Sequence, residues 1–181
     1  MRDKTKKEVF SWIKSILFAL TIAFIFRQFL FSPVTVQGES MMPTFEDNNR
    51  LVVSKISEID HFDVIVFHSP VSEKDFIKRV IGLPGDTIEM NNDQLFINGE
   101  VYQESYLSQN RKIAKEEGMK KLTGDFGPIT IPEDKYFVMG DNRLNSSDSR
   151  EFGFISNTSV VGEVGFRFYP LNEIGNPNSF N

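Results

Sequence analysis

The chain contains no cysteine. That excludes disulfides, thiol nucleophiles and cysteine-based metal sites, so the fold must be held by packing alone. Histidine is nearly as scarce, with only His61 and His68. The two match no zinc-ligand spacing, so neither a zinc hydrolase nor any other metal centre is expected. No basic stripe follows the N-terminus, and the net charge of -5 argues against a nucleic-acid partner. Internal repeats are absent. So is a small-x-small cleavage site after the first apolar run, where Phe29-Leu30-Phe31 and Pro33 stand instead. That absence speaks against a cleavable signal peptide.

The 181 residues suffice for one domain with a core, plus an anchor. Residues 1–14 are basic, with Arg2, Lys4, Lys6, Lys7 and Lys14 against Asp3 and Glu8. An apolar segment follows over 15–32. From Val9 to Phe31 the chain is about long enough to cross a ~30 Å hydrocarbon core as a helix. Lys14 and Arg27 can snorkel toward opposite interfaces. The positive-inside rule then predicts a single pass, with the N-terminus cytoplasmic and residues 33–181 outside. A buried helix of a soluble protein is the alternative.

Past Pro33 the pattern becomes β. Val34–Gln37, Arg50–Lys55, Phe62–Phe67, Phe76–Ile81, Thr87–Met90, Gln94–Ile97, Glu100–Tyr102, Ile129–Ile131, Tyr136–Met139 and Ser159–Tyr169 read as strands between turn signals. Phe62–Phe67 is nearly all apolar, which predicts burial on both faces. Asn98-Gly99 signals a type I′ turn. The polar stretch 103–128 reads as a small insertion with a solvated face. Many short strands, and 18 phenylalanines to fill them, predict a mainly β domain. Its sheet should be coiled, antiparallel and barrel-like, behind one transmembrane helix.

Three stretches carry candidate chemistry. Gly38-Glu39-Ser40-Met41-Met42-Pro43-Thr44 offers a hydroxyl in a turn, although a serine so placed is usually only a turn residue. Phe76 to Asp86 places Lys78 in an apolar run. Strand periodicity puts Phe76, Lys78 and Val80 on one face and Arg79 on the other. Burial on that face would lower the lysine pKa toward that of a usable base, whereas an edge lysine would merely guard against aggregation. Gly140 to Arg150 is a dense polar loop.

These three blocks, in this order behind an anchor, resemble the type I signal peptidases, membrane-bound Ser/Lys proteases, and among them the compact Gram-positive type. The resemblance implies that Ser40 is the acylated nucleophile, Lys78 the general base and Ser146 the group that orients the lysine. Arg79, Asp141, Asp148 and Arg150 become structural partners near the site. Some members carry a serine two residues before the nucleophile. This chain has Gly38 there, so the oxyanion should rest on the Ser40 N–H with backbone or water at Gly38. An exported preprotein could add as a strand beside Val34–Gln37, with Val34, Val36, Met41, Phe76 and Ile77 walling shallow pockets. The implied activity is removal of signal peptides after a small-x-small motif, without cofactor, at the lipid bilayer and near the secretion translocase. A self-cleaving Ser/Lys regulator and a membrane-tethered binding module with no catalysis remain the competing readings.

Overall fold

One helix precedes all the strands. In the computed structural model, which describes residues 2–177, α1 runs Arg2–Phe29. The side chains of residues 1–7 and 26–28 lie outside the described part, and with them those of Arg2, Lys4, Lys6, Lys7 and Arg27. Glu8–Ile25 has a mean hydropathy of 1.7 and no part of it is buried in the protein, so by length and composition it can cross a membrane. Lys14 Nζ lies 4.7 Å from the centre of the Phe10 ring. The helix stops short of Pro33, which biases Ser32 toward an extended backbone. Pro33 itself sits in β1 (Phe31–Thr35), an edge strand, where its missing N–H leaves no ladder bond unmade.

Ten further strands follow: β2 (Arg50–Ser54), β3 (Val64–His68), β4 (Asp75–Gly82), β5 (Thr87–Asn91), β6 (Gln94–Ile97), β7 (Glu100–Tyr102), β8 (Phe126–Thr130), β9 (Lys135–Met139), β10 (Ile155–Ser156) and β11 (Val160–Tyr169). They form two antiparallel sheets. The larger is ordered β1-β2-β11-β3-β4-β9-β10 and the smaller β7-β6-β5-β8. The expected mainly antiparallel β fold behind one apolar helix is therefore present.

β3 lies at the centre of the larger sheet and is buried on both faces, as its composition predicts. Val64 and Val66 pack with Met41, Phe45, Leu51 and Val53, while Ile65 and Phe67 pack with Val80, Val138 and Ile155. Each such side chain contributes about 1.5–3 kcal/mol by leaving water. The strand starts two residues later than its sequence suggests, because Phe62 takes a φ of 70° and turns the chain into it.

The insertion is built differently from its polar appearance. After a short turn at Ser105–Leu107, helix α2 (Ser108–Glu116) buries Ala114 with Tyr106, Leu107 and Leu122 against Phe62. Arg143 and Glu104 meet there as a fully buried ion pair. Strand β8 begins at Phe126, inside the stretch read as insertion. Gly127-Pro128 hides it in the sequence, and its place at a sheet edge lets it tolerate the proline.

Candidate active site

The turn between β1 and β2 carries Ser40. Met41 and Phe45, which follow it, are driven into the core, at 1% and 0% exposure, and so fix the turn to the sheet. Gly38 takes a φ of 87°, which favours glycine. Its N–H donates to Asp47 Oδ1 at 2.9 Å. The Gly38 amide is thus engaged within the turn.

Lys78 projects from the middle of β4, paired across to Ile65. The residue is 4% exposed, and Nζ donates to Ser40 Oγ at 2.6 Å. The same nitrogen lies 5.3 Å from the centre of the Phe76 ring. Burial lowers the Lys78 pKa from 10.5 to about 8, and the opposing carboxylates of Asp148 and Asp141 keep it from falling further. Arg79 is the neighbour of Lys78 on the same strand. It points to the other face, where its guanidinium is bound by Asp141 in a bidentate pair at 2.8 and 2.6 Å, with both side chains wholly buried.

The polar loop closes over the turn. Asn142 N–H donates to the Ser40 carbonyl at 3.0 Å and Asn142 Nδ2 to the Glu39 carbonyl at 3.1 Å. Thr44 Oγ1 donates to Asp141 Oδ2 at 2.5 Å. Burial alone would raise the Asp148 carboxyl. The Arg150 guanidinium, the Gly140 N–H and Ser146 outweigh that and hold it below the usual carboxylate range. Asp148 also caps the short helix α3 (Ser149–Phe152) by accepting from Arg150 N–H. Ser146 Oγ is buried and makes no hydrogen bond of standard geometry, to Lys78 or to any other group described.

A groove of about 970 Å³ runs between the β1 segment and the start of β4, with Ser40 and Lys78 in its wall. Val34, Val36, Phe76 and Ile77 line it, together with Val66. Met41 does not, because its side chain belongs to the core cluster. The turn has no side-chain period from which that direction could be read. Neither His61 nor His68 lines the groove; they are bonded to Asp86 at 2.7 Å and to Asp75, a lining residue, at 2.6 Å. Gly140, Asn142, Thr44 and Asn110 shape the site without having been singled out. Gly140 and Asn142 lie in the polar block and Thr44 in the Ser40 stretch, which were the available signals; Asn110 carries none.

A buried amine of lowered pKa thus lies within reach of a hydroxyl's proton, beside an apolar groove. Comparison with known proteins is specific. Residues 9–169 match the family described as signal peptidase, peptidase S26. Signal peptidase I S of Bacillus subtilis strain 168 is 45% identical over 178 residues, covering 96% of each chain. Signal peptidase IB of Staphylococcus aureus strain COL is 42% identical, covering 93% of each. A crystal structure of a signal peptidase I from Enterococcus faecalis V583 matches with a TM-score of 0.56 and 40% identity, covering 60% of this chain and 98% of that one. The chain belongs to the signal peptidase family, peptidase S26. Within it, the chain is a protease of the signal peptidase I type, with an N-terminal apolar helix as its candidate membrane span.

Proposed function

We propose that this enzyme removes signal peptides from exported preproteins through a Ser40–Lys78 dyad and an acyl-enzyme. The observation that carries the proposal is the 2.6 Å contact between Ser40 Oγ and Lys78 Nζ at the groove wall. Two strand edges face that groove. Among the described residues β1 pairs only with β2, and β4 pairs with β9 only from Arg79 onward, so Asp75–Lys78 keeps one open edge there. An extended segment can add there by main-chain hydrogen bonds, with alternate side chains entering the apolar groove. Shallow walls of valine and isoleucine suit small residues, which accords with a small-x-small cleavage motif.

In the reaction, neutral Lys78 accepts the Ser40 proton as Oγ attacks the scissile carbonyl carbon. The Ser40 N–H supports the resulting oxyanion. Lys78 passes the proton to the departing amine and leaves an ester on Ser40. It then deprotonates a water molecule, which attacks the ester and releases the signal peptide. Ser146 and Asp148 beside the lysine favour one direction for its amine.

The geometry of the membrane side supports the same reading. Phe31, Phe166 and Tyr169 occupy the outward positions of β1 and β11, opposite Ser54, Val52 and Arg50 of β2, and each is more than 40% exposed. Phe31 lies two residues past the end of α1. This face rests on the outer surface of the bilayer, with the N-terminus cytoplasmic and the groove beside the translocase exit. The test is cleavage of a preprotein by the full chain in detergent micelles. Wild type should cut an Ala-x-Ala substrate and fail on one with Phe before the cut. Folded Ser40→Ala should cut neither. Normal processing by Ser40→Ala would end the dyad reading.

A further inference from the structure

We infer that Asn110 is a positioning residue for the hydrolytic reaction, acting on the nucleophile through the two loops that hold it. The inference rests on the Ser40–Lys78 reading above. Asn110 lies on α2, in the insertion, and its Nδ2 donates to two main-chain carbonyls at once: Met42 O at 3.1 Å and Asp141 O at 2.6 Å. Both partners can only accept, so the amide must present its nitrogen, whose two hydrogens suffice for both. Met42 belongs to the Ser40 turn and Asp141 to the polar loop. One side chain therefore staples together the segments that carry the nucleophile and the groups around the lysine.

The staple has a rigid mounting. α2 is seated on the buried cluster of Tyr106, Leu107, Ala114 and Leu122, and Glu104 at its base pairs with Arg143 of the polar loop. Arg111 donates to the Glu104 carbonyl at 3.1 Å and locks the helix start to the same point. Lys78, in contrast, is fixed by β4, in the middle of the larger sheet. The distance from Ser40 to Lys78 thus depends on how firmly the turn is held against the loop, and α2 holds it from a third direction. Asn110 stands outside the lining of the groove. Its loss should leave substrate binding alone and misalign the attack, which depends steeply on geometry.

The experiment compares purified full-length variants in detergent micelles on one preprotein substrate, with kcat and KM measured separately and thermal unfolding recorded. In Asn110→Ala, kcat should fall at least about tenfold while KM stays within about twofold. Asn110→Asp keeps the size but turns carboxylate oxygens toward two carbonyls, so it should lose at least as much. Ile97→Ala opens the core of the smaller sheet, which carries neither α2 nor the staple, and should keep its kcat even where its Tm falls further. Wild-type kcat in Asn110→Asp would overturn the proposal, as would an equal kcat loss in Ile97→Ala. Ser40→Ala, run alongside, separates the two readings. Cleavage by it overturns the nucleophile assignment, whereas an inactive Ser40→Ala beside a fully active Asn110→Asp overturns the positioning role alone.

Discussion

Gly140 and Ser146 stand closer together than any side chain at position 140 would allow. A β-carbon on Gly140 would lie 2.1 Å from Ser146 Oγ and 2.5 Å from the Ser40 carbonyl oxygen. The glycine is what lets the polar loop lie directly on the nucleophile turn. Gly140→Ala must push one of them away. Overpacking of this kind costs about 1–3 kcal/mol, and a displacement approaching 1 Å at the nucleophile can cost about 100-fold in rate. Urea unfolding and kcat/KM on a preprotein read the two effects. Unchanged kcat/KM in Gly140→Ala would show that the turn can retreat without consequence.

Asp141 and Arg79 should be far more important to stability than any surface pair. Both side chains are fully buried, and Asp141 also accepts from Thr44. Asp141→Ala strands a buried guanidinium and should destabilise by about 3–5 kcal/mol. Arg79→Lys should rescue little, since an ammonium cannot make the bidentate contact. Replacing both together by Arg79→Met and Asp141→Leu should cost clearly less than the sum of the two single changes. Additive losses would mean that the two groups act independently.

The strands were legible because alternation of apolar and polar residues reports directly on a half-buried sheet, and β3 because a continuous apolar run needs two covered faces. Lys78 was legible for the same reason, since period two separates it from Arg79. Other features had no local signal. Met41 sits in irregular backbone, where sequence gives no direction to a side chain. Glu104 and Arg143 look like solvated charges until the fold buries them against each other. Asn110 acts on Met42, 68 residues away, and such a contact exists only after the chain has folded.

The anchor should be separable from the chemistry. Lys55 N–H donates to the Leu30 carbonyl at 3.0 Å, and β1 begins at Phe31, so the natural cut lies just before Leu30. A chain starting there should fold and retain Ser40-dependent cleavage. It should still adsorb to lipid, because Phe31, Ile56, Phe166, Tyr169 and Leu171 remain exposed. Vesicle co-sedimentation and a detergent titration of activity check this. A truncated protein indifferent to both would place the apolar face away from the membrane.

The pH dependence follows from the lysine. Lys78 has a pKa of about 8, so at pH 7 only about a tenth of it is the neutral base. kcat/KM should rise about tenfold from pH 7 and level off above pH 9, along a single limb centred near 8. Stability carries the matching sign. The folded-state pKa lies below the 10.5 of an ordinary lysine, so between these values the unfolded chain binds more protons than the folded one. Folding therefore gains with rising pH through that window, and below it the buried ammonium costs about 3 kcal/mol. Lys78→Met removes this cost along with the base. It should be inactive yet more stable than wild type at pH 7, by up to about 3 kcal/mol less whatever the lost Ser40 hydrogen bond contributes. Its advantage should shrink steadily toward pH 10. Asp148 raises the lysine pKa, so Asp148→Asn should move the activity limb to lower pH if the loop stays in place. Lys78→Arg should be as inactive as Lys78→Met, because a guanidinium does not release its proton. Kinetic pH profiles and chemical denaturation across pH 6–10 measure both arms. An activity limb near pH 6.5 that shifts when His61 or His68 is replaced would assign the base to histidine, and Lys78 would then be only a buried lysine beside a serine.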